Sequence, residues 1–179
     1  NKEKVTVRHL LTHSSGIDWW APLYQEARGQ REFLGRICAM PLVAEPGTQV
    51  KYSDLGILLL GEILERVSGR PLAALARERL FEPLGLQRTA YNPSPELFTN
   101  LAPTEIDPES QRPLRGIVHD ENARALGGVA PHAGLFSTAP DLAKFAQMLL
   151  WKGVYDHHRI VSRAAVEAFT RRHAFPGGE

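Results

Sequence analysis

The longest apolar stretch of the chain is LGILLLGEILERV, residues 55–67. A helix built from it is apolar on nearly every face, so it must be buried. Ser53 can cap its N-terminus, because a side-chain oxygen there accepts a backbone hydrogen bond, and Asp54 suits the positive end of the helix dipole. Gly69 is the predicted C-cap. The pattern therefore predicts a buried central helix that holds Tyr52, Ser53 and Asp54 rigidly at its N-terminus.

Two glycines, Gly56 and Gly61, interrupt this helix. Each costs about 1 kcal/mol of helix propensity relative to alanine. Such glycines often mark a place where another segment comes very close. We therefore expect another backbone to approach the helix at these two positions.

Segments with helical spacing also occur on both sides of the central helix. Helices are predicted for one or two turns after Thr6, for residues 22–28, 30–40 and 71–81, from Thr138 to about 152–153, and after Ser162. Thr138 and Asp141 have the spacing of a capping box. The inward positions predicted for the later helices include Leu142, Phe145 and Leu149, and then Val166 and Phe169.

Two stretches lack helical spacing and are predicted to be irregular connectors, at about 87–115 and 116–137. Long loops of this kind in a compact domain are often functional. Few strands are predicted, so the expected fold class is mainly α, organised as a single helical domain over residues 1–179.

Composition narrows the function classes. The chain has 179 residues, of which 43% are hydrophobic and 23% charged, so a packed core is expected. A net charge of +1 gives no electrostatic footprint for nucleic acid or an anionic membrane. The one cysteine, Cys38, cannot form an internal disulfide, and its apolar neighbours predict a buried structural thiol. No stretch is apolar and long enough to predict a membrane span.

The seven histidines do not have the spacing of a metal site. His157 and His158 are adjacent and would point to different faces of a helix. His9 and His13 are four residues apart, but no Glu lies between them as in the zinc metalloprotease motif. We therefore predict no metal site and no cofactor.

A run of polar residues lies in the second connector: His119, Asp120, Glu121 and Asn122. His119, Asp120 and Asn122 are candidates for lining a substrate pocket, since binding residues concentrate on loops. The other interpretation is a solvated turn held by Asp and Asn side chains. The sequence favours neither.

The residues themselves offer no clear serine nucleophile. The chain contains neither Gly-x-Ser-x-Gly nor Ser-x-x-Lys. Any sequence of this length contains a Ser, a His and an Asp that could be combined into a catalytic triad, so their presence alone does not indicate one.

Four segments, in order, resemble motifs of the serine β-lactamase-related family, which includes class C β-lactamases, D-aminopeptidases, D,D-carboxypeptidases and esterases. They are VTVRHLLTHSSGI (5–17), PGTQVKYSDLG with LLGEILERVSG (46–56 and 59–69), FEPLGL (81–86) and AGLFSTAPDLAKF (133–145). The resemblance implies the helical portion of the α+β fold of serine β-lactamases and penicillin-binding proteins.

The resemblance also implies a chemistry. In this family the Ser of a Ser-x-x-Lys attacks a carbonyl to form an acyl-serine, while the Lys and a Tyr hydroxyl manage its proton. Tyr52 resembles that Tyr by position, and a neighbouring cationic Lys would lower the pKa of its phenol. Asp54 stands where the family has Asn, and an ionised carboxylate only accepts hydrogen bonds. This change bears on β-lactam recognition more than on hydrolysis, and Asp54 could instead pair with the catalytic Lys.

The Ser-x-x-Lys is expected before residue 1 and the family's Lys/His-x-Gly strand motif after residue 179. His132-Ala133-Gly134 matches the latter in letters only and is predicted to be loop. The chain is therefore expected to be part of a longer enzyme and to be inactive alone. The alternative is a non-catalytic β-lactamase-like binding or regulatory module.

The resemblance implies a small-molecule or peptide-like amide or ester substrate and makes a periplasmic or extracellular location plausible. An apolar surface where the missing sheet would pack is expected to be exposed and to favour self-association.

Overall fold

The computed structural model describes residues 1–173 and is mainly helical, as predicted. The α-helices in this range are α1 (Val7–Leu11), α2 (Leu23–Glu26), α3 (Gly29–Ala39), α4 (Asp54–Ser68), α5 (Leu72–Ala76), α6 (Glu121–Ala125), α7 (Ala139–Leu150) and α8 (Arg163–Thr170). Short 3₁₀ segments occur at Lys2–Lys4 and Pro95–Asn100. None of the helices in the described range is long and apolar enough to cross a membrane.

The strands within residues 1–173 are short and form two antiparallel pairs: β1 (Ala90–Tyr91) with β2 (Leu135–Phe136), and β3 (Val154–Tyr155) with β4 (His158–Arg159). The first pair joins the start of the first predicted connector to the end of the second, with Ala90 opposite Phe136. The second connector is not wholly irregular, because it contains α6.

The central helix α4 begins and ends as predicted. Ser53 Oγ accepts the N–H of Gly56 at 2.9 Å, and Gly69 has the left-handed conformation of a C-cap with φ 65°. Burial is uneven along the helix, however. Leu55 is completely buried, whereas Val67 in the last turn is 85% exposed. The expectation of burial on all faces is therefore correct only for the first half of the helix.

Gly61 on α4 is packed against the loop before β2. A Cβ built at Gly61 would lie 2.7 Å from Cγ of Pro131. A Cβ at Gly56 would meet side-chain atoms of Ser53 and Leu10 at 3.2 Å and 3.7 Å. The close approaches predicted at both glycines exist, but side chains make them rather than another backbone.

Residues 71–81 do not form one regular α-helix. After α5 the chain widens into a π-helical turn at Arg77–Phe81, in which the N–H of Glu82 bonds to the carbonyl of Arg77 at 2.9 Å. The main core cluster lies around Leu55 of α4. Phe81 from this turn packs with Met148 of α7 in a second, smaller core cluster.

Helix α7 has the predicted cap, and Phe145 and Leu149 pack against the second core cluster as expected, but Leu142 does not face inward. Thr138 Oγ1 accepts the N–H of Asp141, while the buried Asp141 carboxylate accepts the Arg88 N–H at 2.8 Å and the Thr89 hydroxyl at 2.9 Å. These bonds turn position 141 inward, so Leu142, about 100° further round the helix, is 57% exposed.

Two other burial predictions are wrong. Cys38 is exposed, because the neighbouring Ile37 on α3 takes the inward position. Phe169 of α8 is 71% exposed and lies on a groove with Val7 and Leu11, which are also exposed.

Candidate active site

Tyr52 lies immediately before α4 and is bracketed by two hydrogen bonds to His13. The Lys51 N–H donates to the carbonyl of His13 at 2.8 Å, and the Ser53 N–H donates to Nδ1 of His13 at 3.1 Å. The rings of His13 and Tyr52 are 4.7 Å apart, tilted by 39°. Tyr52 itself is 59% exposed. The phenol therefore stands on the surface while the backbone on both sides of it is fixed.

The segment that carries His13 is a tight turn after α1. His13 has a positive φ of 54°. Ser14 and Ser15 are buried, and the carbonyl of Ser14 accepts the N–H of Gly47 at 2.8 Å. Gly16 is required here, because a Cβ would lie 2.0 Å from the carbonyl oxygen of Ala44. The turn is thus anchored to the connector that leads to Tyr52.

The Ser53 hydroxyl is engaged in two hydrogen bonds within the fold. It accepts the Gly56 N–H and donates to the carbonyl of Asp18 at 2.7 Å, and the residue is 1% exposed. A hydroxyl that is buried and bonded twice serves as a helix cap and not as a nucleophile.

Asp54 is held beside Tyr52 by the first turn of α4. Its backbone N–H donates to the carbonyl of Trp19 at 2.9 Å. The Asp54 carboxylate raises the pKa of the Tyr52 hydroxyl, and burial and the negative charge of Asp120 raise it further. The phenol is therefore kept protonated.

Lys51, which precedes Tyr52 in the sequence, is not among the groups that shift the pKa of Tyr52. Lys51 Nζ is 2.6 Å from Oδ1 of Asp18, and this hydrogen bond lowers the pKa of Asp18. The lowering of the Tyr52 pKa that the family resemblance implies belongs to the lysine of a Ser-x-x-Lys, which this sequence does not contain, and it stays a prediction.

Asp120 and His132 form a pair that sequence analysis did not anticipate. Nε2 of His132 is 3.0 Å from Oδ1 of Asp120, and the two side chains are 3% and 14% exposed. Asp120 also caps α6 by accepting the Ala123 N–H at 2.6 Å. Burial alone would raise the pKa of Asp120, but these two hydrogen bonds and the charges of His132 and His119 outweigh it and lower that pKa.

The two ring nitrogens of His132 have different surroundings. Nε2 carries the proton that it donates to the Asp120 carboxylate. Nδ1 is buried and has no hydrogen-bond partner among residues 1–173.

His119 and Asn122 are placed very differently. His119 is exposed and lines, with His132, Thr104 and Ser137, a cavity of about 570 Å³. Asn122 is completely buried. Its Oδ1 accepts the Tyr24 N–H at 3.0 Å and its Nδ2 donates to the carbonyl of Ala21 at 2.9 Å.

Asn122 therefore does not line a pocket, because both ends of its amide bind the backbone before and within α2. Asn122 thus links α6 to the start of α2 and to the loop that precedes it. Of the five candidates, Asp54 and Asp120 both raise the pKa of Tyr52 through their charges. His119 lies on the cavity that His132 also lines.

Two residues at this site were missed. His13 was considered only as a metal ligand, although the LLTHSSG segment that contains it was recognised. His132 was dismissed as loop, which is correct for its backbone but not for its buried side chain. Among the described residues, no group of three or more His, Cys, Asp or Glu side chains converges as a metal site.

Comparison with known proteins adds to this geometry. The Beta-lactamase family model matches residues 1–177. The chain belongs to the beta-lactamase family. It is 36% identical to the N-acetylmuramyl-L-alanine amidase of Bacillus subtilis (strain 168), over 94% of this chain and 43% of that protein. It is 35% identical to an Escherichia coli (strain K12) protein named provisionally as a D-alanyl-D-alanine carboxypeptidase, over 94% of this chain and 44% of that protein.

Solved members of the family share the fold. The structure of the beta-lactamase/D-alanine carboxypeptidase from Pseudomonas syringae matches with a TM-score of 0.70 at 26% identity, over 90% of this chain and 42% of that one. The chain thus spans less than half the length of the curated relatives it matches. Its described part corresponds to the helical portion of the beta-lactamase fold, as the sequence predicted.

Proposed function

We propose that this chain is the helical part of a serine acyl hydrolase that cleaves an amide or ester through an acyl-serine intermediate, with Tyr52 as a proton relay. The observation that carries the proposal is the placement of Tyr52. Its backbone is held on both sides by His13, its side chain is exposed, and the Asp54 carboxylate raises the pKa of its hydroxyl. A rigid group that can hold and pass a proton is what general acid-base catalysis requires.

The proposed reaction uses groups from outside the chain for the attack itself. The Ser of a Ser-x-x-Lys adds to the substrate carbonyl, and its proton passes through Tyr52 and the Lys to the leaving group. Asp54 keeps Tyr52 protonated in the isolated chain. A cationic Lys placed against Asp54 would offset that negative charge, lower the pKa of the phenol and make it usable as a relay.

The substrate class follows from the relatives. One is named as an amidase of N-acetylmuramyl-L-alanine and the other as a D-alanyl-D-alanine carboxypeptidase, and both names describe an amide that involves alanine. We therefore propose a peptide-like amide at an alanine residue. His119 and Asp120 are the proposed substrate contacts, since His119 lines the open cavity beside the Asp120–His132 pair.

The experiment is Tyr52→Phe in the full-length protein, assayed with an alanyl amide or ester. We expect kcat to fall by about 10²-fold or more, since a positioned acid-base group contributes at least that much. Tyr155→Phe is the matched control, because Tyr155 stacks on Trp151 in the second core cluster. Unchanged turnover in Tyr52→Phe would refute the role of Tyr52.

We also propose that the 179-residue chain alone does not turn over such substrates. A labelled penicillin or fluorophosphonate should leave it unmodified and should acylate one serine of the full-length protein. Acylation of the chain alone at a defined serine would contradict this proposal. A full-length protein that resists both probes would favour the alternative, a binding or regulatory module.

Self-association stays a prediction. The groove of Val7, Leu11 and Phe169 is apolar and exposed, which supports it. Sedimentation of the chain and of Phe169→Ser would test it, and a monomer at all concentrations would exclude it.

A further inference from the structure

We infer that His13 is a positioning residue for Tyr52 and that it acts as a neutral imidazole with its proton on Nε2. The inference deepens the proposed function and depends on it only for the activity measurements. Three observations support it: the hydrogen bond from the Ser53 N–H to Nδ1, the bond from the Lys51 N–H to the His13 carbonyl, and the packing of the two rings.

The hydrogen bond from Ser53 determines the tautomer. A backbone N–H can only donate, so Nδ1 of His13 must present a lone pair to it at 3.1 Å. In the neutral ring the proton then lies on Nε2. In the imidazolium both nitrogens carry protons, and Nδ1–H would face the Ser53 N–H with no acceptor between them. Protonation of His13 therefore breaks this bond.

The two hydrogen bonds to His13, from the Ser53 N–H and the Lys51 N–H, hold the backbone segment that orients the Tyr52 phenol. They engage the backbone N–H groups of Lys51 and Ser53, the residues on either side of Tyr52, and so restrain the backbone between them. The imidazole also packs on the phenol ring at 4.7 Å in a tilted arrangement that aromatic pairs favour. A misplacement of about 1 Å in a catalytic group can cost about 10²-fold in rate.

The turn is built to hold His13 in this position. Its φ of 54° is unusual for a residue other than glycine. Next to it, the buried hydroxyl of Ser14 bonds to that of Thr12 at 2.9 Å. The carboxylates of Asp54 and Asp120 act on Tyr52, and Lys51 next to it is paired with Asp18.

Two substitutions separate the contributions of the acceptor and the ring. His13→Asn keeps an oxygen that can accept the Ser53 N–H and tolerates positive φ, but it loses the ring. His13→Phe keeps a ring and loses the acceptor. His157 provides control variants, because it is also a histidine with positive φ, 63°, and it is exposed in the turn between β3 and β4.

The first test uses NMR on the 179-residue chain and does not depend on activity. At about pH 8 the ¹⁵N shifts of His13 should identify a bare Nδ1 and a protonated Nε2. The Ser53 amide proton should lose its hydrogen-bonded shift in His13→Phe, which removes the acceptor, and should keep it in His13→Asn and in His157→Phe. A proton on Nδ1 at pH 8, or a Ser53 amide shift that is equal in all variants, would overturn the inference.

The second test asks whether the bond positions Tyr52. The backbone order parameter of Tyr52 should fall in His13→Phe and should remain at the wild-type value in His157→Phe. In the full-length protein, His13→Phe should lower kcat by about 10- to 10²-fold with little change in KM, and His13→Asn should recover part of it. Equal Tyr52 order in all four variants would overturn the inference. A wild type without turnover would instead contradict the proposed function and leave the order parameters to decide the role of His13.

Discussion

Nε2 of His132 lies 3.0 Å from Oδ1 of Asp120, a contact that joins the loop before β2 to the N-cap of α6. The pair is largely buried, yet the pKa of Asp120 is lowered, because hydrogen bonds from His132 and the Ala123 N–H outweigh burial. The carboxylate thus remains ionised, and its charge is one of those that raise the pKa of Tyr52.

Asp120 should contribute to the pH dependence of stability. Its folded pKa is lower than its unfolded pKa, so its contribution is fully present above the unfolded value of about 4 and is lost as the pH falls through the folded value. Asp120→Asn should therefore show a weaker loss of unfolding free energy below about pH 4 than the wild type. Urea titrations at several pH values measure this. Asp156→Asn, in an exposed turn, is the control, and equal acid sensitivity of wild type and Asp120→Asn would contradict the prediction.

The phenol of Tyr52 should titrate above the ordinary tyrosine value of about 10. The Asp54 carboxylate is the main cause, and burial and the charge of Asp120 add to it. Asp54→Asn should therefore lower the pKa of Tyr52 toward that ordinary value. Phenolate absorbance, with Tyr52→Phe subtracted, measures it. Tyr91, whose pKa is raised by burial alone, should titrate unchanged, and an unchanged Tyr52 in Asp54→Asn would exclude the proposed contact.

Gly61→Ala should destabilise the fold. The new Cβ would lie 2.7 Å from Cγ of Pro131, so α4 or the loop must shift. We expect a loss of about 1–3 kcal/mol of unfolding free energy. Gly35→Ala is the matched control, because nothing lies within 4 Å of its Cβ on α3 and alanine should stabilise that helix by about 0.4–1 kcal/mol. Equal effects of the two substitutions would show that Pro131 does not restrict α4.

Ser53→Ala should cost more stability than the same change at another helix cap. It removes the acceptor of the Gly56 N–H and the donor to the Asp18 carbonyl, both in a buried position. The expected loss is about 2 kcal/mol or more, against about 1 kcal/mol for the exposed cap Ser162 of α8. Chemical denaturation of both variants gives the comparison. A smaller loss at Ser53 than at Ser162 would mean that the Asp18 contact contributes nothing.

The sequence by itself determined where four of the helices begin and where α4 ends. Thr6, Ser53, Thr138 and Ser162 each cap the helix that was predicted to follow, and Gly69 ends α4. These features are predictable because the unpaired amides at a helix end are satisfied by side chains within three residues. The four collinear motifs determined the family in the same way, since they are properties of the sequence alone.

Tertiary structure decided which side of each helix is buried and which distant side chains meet. Asp141 rather than Leu142 faces inward because its partners, Arg88 and Thr89, lie more than fifty residues away. Likewise His13 reaches Ser53 across 40 residues, and His132 reaches Asp120 from a loop that follows α6. Sequence spacing gives the period of a helix but not its rotation relative to the core. That rotation, and every long-range hydrogen bond at the site, is set by packing.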